Sequence, residues 1–352
     1  MTTSWNSSTD GGITLINPTK AGCTFAGWIG TGLEGPTEYV TIEAGSIGDR
    51  EYTATWIVNT VVINGVSGSF NDKIKLNYYF SIPESVLADD GAYVTLTNTY
   101  TRHTVTLPVK GAALVKGIGY RFSIPLAAKE ASDPIAVRVF DSQGSALTIV
   151  GASGTDYTET GVQYTLMQYF TWLESNGNDS EKAVGAAAKD YCAAAQIYFG
   201  YNADGLTVSD AVDTVTDETL SDYISVREGK LPEGVIVRGI SAMLESDNTL
   251  RLYLGFDGVD PSSFTYRIDG DITELKQRKD GSYYLALDTG VFSNHLQYTH
   301  KYSVSDGTYT HTITASVLTY ARSCTIDSDE TESDLGKALY LYNQAAVANF
   351  GQ

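Results

Sequence analysis

Short runs in which apolar and polar residues alternate constrain the fold of this chain more than any other feature. The clearest runs in the first half are residues 74–80, 93–96, 103–107, 120–124 and 135–140. An alternation with a period of two places successive side chains on opposite faces of a strand, and the Gly and Asp residues between the runs are typical of turns. The pattern predicts antiparallel sheets, with a β-sandwich as the default architecture.

Helical spacing interrupts the strands twice. A first helical pattern begins at Tyr164 and is kept by Leu166, Tyr169, Phe170 and Leu173. A second helix is predicted over 180–199, where Gly200 is a suitable C-terminal cap. Strands return over 235–320, and a last helix is predicted over 334–350. The runs that predict these later strands are residues 250–254, 264–268 and 283–287.

The order of strands followed by helices therefore occurs twice, and the two copies also match at individual residues. The matches are Tyr120–Ile124 with 283–287, Gly144 with Gly307, Gly185 with Gly336, Tyr191 with Tyr342, and Phe199-Gly200 with Phe350-Gly351. Glycine inside a helix costs about 1 kcal/mol unless something packs closely against it, so the paired Gly185 and Gly336 favour a duplicated module. The alternative is that two Ala-rich amphipathic helices resemble each other by composition.

Near the start of the chain, glycine and aromatic residues recur at ordered positions. These are Pro18, Gly22, Phe25, Gly27, Trp28, Gly45, Gly48, Asp49, Ala54 and Trp56. Residues 12–56 thereby resemble the Listeria–Bacteroides (internalin B-type) repeat of bacterial surface proteins. Cys23 departs from the family, which usually has an aromatic residue there, and the opening strand before Gly12 is missing or shortened. The resemblance implies a small β-grasp-like domain outside the cell, with Trp28 and Trp56 as core anchors; the alternative is a generic β-hairpin.

The rest of the chain resembles the C-terminal modules of large surface proteins from Gram-positive gut anaerobes. The segments that carry this resemblance are 75–83, 193–202 and 337–346. We therefore expect a mainly β fold with helices: the repeat-like domain over 1–56, a β-sandwich-like unit with two helices over 57–215, and a related β unit with a C-terminal helix over 216–352. We expect an extracellular protein on the bacterial surface, with its signal and anchor outside this sequence.

The charge of the chain narrows its partners. Its net charge is −19, from 42 acidic and 23 basic residues. Nucleic-acid binding needs clustered Lys and Arg, and anionic membranes would repel this chain, so we expect neither partner. No run of about 18 apolar residues predicts a membrane helix. Three widely spaced cysteines give no disulfide framework. We expect a monomer.

A metal site finds little support in the sequence. The four histidines are His103, His295, His300 and His311. If Asp306-Gly307 were a two-residue turn, His300 and His311 would share a hairpin face with Tyr302 opposite His311, but zinc needs at least a third ligand. The segment 202–210 fails as a calcium loop, because carboxylates are missing where such a loop requires them. Calcium at the acidic turns 269–271 and 327–334 is unsupported, so we expect no cofactor.

Catalytic patterns are also incomplete. The nearest strings to a nucleophile elbow, 65–69 and 151–155, both lack the last glycine. Cys192 and Cys324 are expected to be buried, inert thiols. The sequence Leu231-Pro-Glu-Gly-Val is not a sortase signal. Paired carboxylates for glycoside hydrolysis stay open, because their spacing is spatial. We expect no enzyme, and predict no catalytic, cofactor-binding or metal residues.

Three functions remain in competition. The first is a non-catalytic module of a surface protein, which is either a passive stalk or an adhesin that binds a host protein or a glycan; an immunoglobulin captured by exposed Tyr residues is one example. The second is an accessory or catalytic part of a carbohydrate-active enzyme. The third is a glycan-binding module with a row of exposed aromatic rings, for which the candidates are Trp5, Trp28, Trp56 and Trp172. At least three of these four are expected to lie in the core, and the binding residues stay unknown.

Overall fold

The computed structural model describes residues 12–20, 23–245, 248–287, 290–326 and 329–351. It contains 37% strand and 23% helix, which confirms the expected mainly β class. The first thirteen strands are β1 (Ile13–Thr14), β2 (Cys23–Gly30), β3 (Thr41–Ile42), β4 (Tyr52–Val58), β5 (Thr60–Ser69), β6 (Lys75–Ser81), β7 (Tyr93–Asn98), β8 (Thr104–Pro108), β9 (Ala113–Val115), β10 (Gly119–Pro125), β11 (Ile135–Phe140), β12 (Thr148–Gly151) and β13 (Val162–Tyr164).

The remaining strands and the helices follow. The strands are β14 (Val226–Gly229), β15 (Val235–Leu244), β16 (Asn248–Phe256), β17 (Thr265–Ile268), β18 (Asp271–Ile272), β19 (Lys276–Gln277), β20 (Tyr283–Ala286), β21 (His300–Ser305) and β22 (Thr310–Ala315). The α-helices are α1 (Glu84–Leu87), α2 (Leu166–Asn176), α3 (Asp179–Phe199), α4 (Val317–Ser323) and α5 (Glu330–Phe350). Single 3₁₀ turns lie at Ala128–Glu130, Val212–Thr214, Pro261–Ser263 and Ser293–His295.

The chain divides into two compact units, each built from several separate segments. The first holds the residues up to Gly65, Tyr78–Phe122 and Ile135–Gln163, and the second holds Val66–Asn77, Ser123–Pro134 and the chain from Tyr164 onward. The predicted division at residues 56 and 215 stays a prediction.

In the first unit, the N-terminal region is a pair of long antiparallel strands, β2 and β4, with the short pair β1 and β3. A bulge lies between Phe25 and Gly27. Gly27 has a φ of 123°, and a Cβ on it would lie 2.6 Å from the backbone nitrogen of Thr37, so only glycine fits this bulge. The Phe25 ring packs edge-on against Trp28 and Trp56. The local strand pairing therefore depends on an aromatic cluster and a close backbone approach.

The strands from β5 to β13 form two sheets. One has the order β12-β5-β6-β10-β9, and the other has the order β13-β11-β7-β8. The β12–β5 pair is parallel, whereas β11–β7, β7–β8 and β10–β9 are antiparallel. Alternate residues of β11, namely Ile135, Val137 and Val139, are buried. The period-two pattern thus corresponds to strands with one buried face.

The later strands form a second set of two sheets, with the orders β15-β16-β20-β19 and β14-β22-β21-β17-β18. If the edge strands β12 and β14 are left aside, β15-β16-β20-β19 follows the chain order of β5-β6-β10-β9. In the same way, β22-β21-β17-β18 follows the order of β13-β11-β7-β8. Strand order is therefore shared between the two halves of the chain.

The helices of the two halves begin with matched caps. The Thr165 side chain accepts a hydrogen bond at the start of α2, and the Ser316 side chain does the same at the start of α4, each in a capping box. Asn178 caps α3 and Asp329 caps α5. Thr165 and Ser316 lie as many residues apart in the sequence as Asn178 and Asp329 do. Each cap satisfies backbone N–H groups that a helix start leaves without intrahelical partners.

The two glycines inside long helices explain how these helices pack. A Cβ on Gly185 of α3 would lie 2.5 Å from Cδ2 of Leu173 in α2, and a Cβ on Gly336 of α5 would collide with the carbonyl oxygen of Ala321 in α4. Each long helix therefore uses a glycine to let the preceding short helix approach closely. This close contact explains why glycine occupies both positions although it is unfavourable inside a helix.

The two long helices also pack on each other. The Tyr191 ring of α3 stacks on the Tyr342 ring of α5, with centroids 5.3 Å apart and an interplanar angle of 15°. The Tyr191 hydroxyl donates to Oδ1 of Asn248 at 3.2 Å, and the Tyr342 hydroxyl donates to the carbonyl oxygen of Phe70 at 3.2 Å. Both tyrosines are buried. Equivalent residues of the two helices thus meet at the centre of the pair.

The helix boundaries differ from the predictions in three places. Tyr164 ends strand β13, and α2 begins at Leu166, after the Thr165 cap. The last helix begins at Glu330 rather than at residue 334, because Asp329 provides the cap and Glu330 and Glu332 place acid in the first turn. Helix α4 falls in a region that the sequence assigned to strands. Gly200 ends α3 in the left-handed conformation with a φ of 57°, as predicted. No helix in the described part of the chain is long and apolar enough to cross a bilayer.

Candidate functional site

The hairpin of β21 and β22, which carries His300 and His311, has a different register from the one predicted. Four residues connect β21 and β22, because Oδ1 of Asp306 accepts hydrogen bonds from the backbone N–H groups of Thr308 and Tyr309. The longer turn pairs His311 with Val304, and Tyr302 with Ile313. The prediction that Tyr302 lies opposite His311 is therefore wrong.

Both hairpin histidines have structural partners. Nδ1 of His300 lies 2.8 Å from Oδ2 of Asp269, and Nδ1 of His311 lies 3.1 Å from the carbonyl oxygen of Gly229. His295 stacks on Tyr298, with centroids 4.8 Å apart. Among the described residues, no three His, Cys, Asp or Glu side chains group as metal ligands would. The absence of a cofactor stays a prediction.

The two cysteines of the helices are buried, as predicted. Burial raises the pKa of Cys192 far above its usual range and that of Cys324 to about 11. A thiolate is the form that attacks a substrate, so both groups stay protonated and unreactive near neutral pH.

Two buried carboxylates hold the segment that follows α3. Oδ2 of Asp133 accepts the Tyr201 hydroxyl at 2.7 Å. Asp190 accepts both the backbone N–H of Ser209, at 2.9 Å, and its hydroxyl, at 2.6 Å. The segment 202–210, which the sequence analysis rejected as a calcium loop, is therefore fixed by acids that lie outside it.

Asp334 is a carboxyl group with a raised pKa. Burial is the largest cause of the raised pKa. The positive charge of Lys337 lowers this pKa, and the negative charges of Glu330 and Asp213 raise it further. Asp334 is not among the residues that line the two cavities of about 310 and 550 Å³. This geometry gives no support to a pair of catalytic carboxylates in a pocket.

The tryptophans are more accessible than predicted. Trp28 and Trp56 are half-buried, and Trp172 is 50% exposed, so the expectation of at least three core tryptophans is wrong for the described ones. Trp5 lies outside the described residues. Nε1 of Trp28 donates to Oδ1 of Asn17 at 3.1 Å, which explains why its ring stays near the surface.

Trp172 belongs to a series of stacked rings. Phe170 stacks on Phe70 at 5.4 Å and 24°, Phe70 on Tyr169 at 6.2 Å and 27°, and Tyr169 on Trp172 at 5.8 Å and 20°. Phe170 and Phe70 are buried, Tyr169 is half-buried, and Trp172 is exposed. The series therefore runs from the core to solvent.

Two rings of the series, Phe70 and Tyr169, line a cavity of about 310 Å³, which we call the aromatic cleft, and Trp172 lies next to Tyr169, outside that lining. Its lining residues are Gly68, Ser69, Phe70, Asn71, Tyr169, Leu173, Glu181, Val184, Asn349 and Phe350. A Cβ on Gly68 would lie 2.5 Å from the Phe70 ring and 2.8 Å from the Tyr169 ring. Glycine at this position is what allows Tyr169 to lie against strand β5.

Only part of this cleft could be predicted from the sequence. Tyr169 and Leu173 share a helical spacing and Trp172 was a candidate aromatic platform, but Glu181 comes from the next helix, and Phe70 and Asn349 come from distant segments. The larger, open groove of about 550 Å³ lies along the β9–β10 hairpin, beside Asn64 and Ser81. Its rim includes the exposed Leu114. It lacks a stack of rings, so the aromatic cleft is the stronger candidate site.

A scan against protein-family models finds no match for this chain. A search of curated proteins finds no similar sequence either.

Proposed function

We propose that this chain is a non-catalytic module of a bacterial cell-surface protein that binds a host protein or a glycan. Its opening segment acts as an internalin B-type repeat, and two tandem, related, sandwich-like β units follow. The module works outside the cell, as a monomer, and an immunoglobulin is one candidate partner. An accessory, glycan-binding part of a carbohydrate-active enzyme is the alternative.

The tandem arrangement is supported by the shared strand order and by the matched helices. The caps Thr165 and Ser316, and the helix glycines Gly185 and Gly336, occupy equivalent positions and make equivalent approaches. A repeat that adds one β unit with its helices to another is a common way to build an extended surface protein.

A binding role rather than catalysis is supported by the tasks of the polar side chains. Asp133 and Asp190 hold a loop, His300 pairs with Asp269, and the thiols of Cys192 and Cys324 are kept protonated by burial. These groups are used for folding.

The observation that carries the binding role is the exposure of Trp172 beside the aromatic cleft. Half of a Trp surface in water is costly to leave uncovered, and large exposed aromatic residues often mark interaction sites. Three rings stack behind it, so the platform is rigid and loses little conformational entropy on binding.

The test is a binding screen of the whole chain by biosensor against host secretory proteins, including immunoglobulins, and against mucin glycans. We expect at least one ligand, whose binding weakens about tenfold or more when Trp172→Ala removes the platform. Phe199→Ala is the matched control, because Phe199 is also an exposed aromatic residue of the helices but contacts Tyr198 and Lys129 rather than the series of stacked rings. Silence of the whole panel at high micromolar concentration would leave only a stalk role.

A further inference from the structure

The rings of the aromatic cleft form a shelf rather than a cage. Neighbouring rings in the series from Phe170 to Trp172 are inclined by only 20–27°. A cage that encloses a quaternary ammonium group needs ring faces directed at one point from several sides. Parallel rings instead end in one flat apolar face, which matches a flat apolar ligand surface. Tyr169 stacks on one side of Trp172, and the Trp172 side chain is 50% exposed.

The polar groups of the cleft suit hydroxyl groups. Oε2 of Glu181 accepts the backbone N–H of Asn178 at 2.9 Å, so its second oxygen can accept a ligand hydroxyl. Oδ1 of Asn349 accepts the Ser180 hydroxyl, which leaves its amide nitrogen to donate. Asn71 and Ser69 add further polar groups to the lining. Donors and acceptors thus stand beside the apolar shelf.

Charge selects against an acidic ligand. Glu181 is the charged residue among those that line the cleft, and the lining contains no Lys or Arg among the described residues. The chain as a whole carries a net charge of −19. A carboxylate or sulfate on the ligand would meet only repulsion here. The cleft volume of about 310 Å³ is at the lower end of small-molecule sites, so it admits one sugar ring.

The two long helices differ at one matched position beside the cleft, and this difference explains why the cleft is open. Tyr198 precedes Phe199 at the end of α3, whereas Asn349 precedes Phe350 at the end of α5. Burial raises the pKa of Tyr198 most, and the charges of Glu332, Cys324 and Asp329 add to the shift, so the Tyr198 hydroxyl lies within electrostatic range of the start of α5. Asn349 lies against the start of α3, where its hydrogen bond with Ser180 is made. The smaller amide leaves the space that a tyrosine would fill.

We propose that the aromatic cleft binds one neutral pyranose unit of a glycan. The apolar C–H face of the sugar lies on the exposed Trp172 ring beside the cleft, and the hydroxyl groups of the sugar extend to Glu181 and Asn349 in the lining. This inference rests on the proposed binding function and names the ligand class of the same site.

The test begins with the whole chain on an array of neutral and sialylated oligosaccharides. Titration calorimetry then uses methyl β-galactoside, methyl α-mannoside and methyl N-acetyl-β-glucosaminide as probes, with N-acetylneuraminic acid and choline as charged comparisons. We expect binding of a neutral glycoside. Trp172→Ala should weaken it by about tenfold or more, and Trp172→Phe by less.

Asn349→Tyr gives the sharper variant, because it places in the cleft the residue that the other helix carries. It should abolish glycoside binding while leaving the melting temperature unchanged or higher, and Phe199→Ala should leave the affinity unchanged. Glycoside binding that tolerates both Trp172→Ala and Asn349→Tyr would place the sugar elsewhere and overturn the inference.

The remaining outcomes separate this inference from the proposed function. Capture of a host protein that depends on Trp172, with no glycan bound, would overturn the sugar ligand and keep the binding module. Preference for N-acetylneuraminic acid or choline would overturn the neutral sugar. Absence of any ligand would overturn both proposals.

Discussion

The two ends of the α3–α5 helix pair differ although their sequences correspond. Where α3 begins and α5 ends, Asn349 bonds to Ser180 and the aromatic cleft is open. Where α5 begins and α3 ends, Tyr198 lies near Glu332 and Cys324, and burial raises its pKa. Trp172 at the first end corresponds to Ser323 at the second. The end with the open cleft and the end with the half-buried Tyr198 therefore differ at two corresponding positions.

The two helices are more alike at their centre than at their ends. The centre of the pair is built alike from both helices, because Tyr191 and Tyr342 stack on each other and each reaches a polar atom with its hydroxyl. Stability depends on this centre, whereas the exposed ends can change with little cost to the fold. Substitutions at equivalent positions can test this division.

The largest expected effect is at the centre. Tyr191→Ala and Tyr342→Ala should each lower the free energy of unfolding by about 3–5 kcal/mol, because each removes a buried aromatic ring and leaves a cavity. Urea unfolding measures both. Phe350→Ala, at a residue 39% exposed, is the control and should cost far less. Unequal losses at the two tyrosines, with one near zero, would break the equivalence of the helices.

The helix glycines should give the next largest effect, and an unequal one. Gly336→Ala would place a Cβ against the backbone carbonyl of Ala321, which cannot turn aside, so we expect a loss of about 1–3 kcal/mol. Gly185→Ala would meet the end of the flexible Leu173 side chain, and the better helix propensity of Ala offsets about 1 kcal/mol. Its net effect should be close to zero. Thermal melts of both variants compare them, and a larger loss for Gly185→Ala would contradict the packing described.

The sequence predicted elements well where the pattern was local. The alternation over 135–140 matches β11, and the cap at Gly200 ends α3 at Phe199. Alternation fails for β5 and β15, because neither strand keeps strictly alternating burial along its length. The register of the β21–β22 hairpin could not be predicted from the local pattern either. Hydrogen bonds to the Asp306 side chain stabilise a turn that is two residues longer than expected.

The candidate site was less predictable than the fold. Trp172 could be named from the sequence, but its exposure depends on Tyr169 and Phe70, which meet only after folding. The alignment of the two long helices did carry a usable signal. It placed Tyr198 opposite Asn349, so a change in side-chain size at matched positions could have pointed to the cleft.

The N-caps of the short helices provide a smaller comparison. Thr165→Ala and Ser316→Ala each remove a side-chain acceptor that satisfies a backbone N–H of the first turn, with lengths of 3.0 and 3.1 Å in the two capping boxes. We expect each variant to lose about 1 kcal/mol of stability. Urea unfolding under one set of conditions compares them. A loss at only one cap would show that the other helix is held by packing alone.

The N-caps of the long helices differ in one chemical respect, which predicts a dependence on pH. Asp329 caps α5, and its hydrogen bonds to the backbone N–H of Glu332 and to Thr331 hold the pKa of this carboxyl below its usual value. Asn178 caps α3 and does not titrate. A carboxyl group with a lowered pKa in the folded chain stabilises it above the unfolded pKa of about 4, and this contribution is lost as the pH falls through the folded pKa. We therefore expect Asp329→Asn to reduce the loss of stability between about pH 5 and pH 2, whereas Asn178→Asp should add to it. Urea unfolding across this range measures both variants, and parallel pH profiles for Asp329→Asn and the parent chain would show that the cap is not titrating.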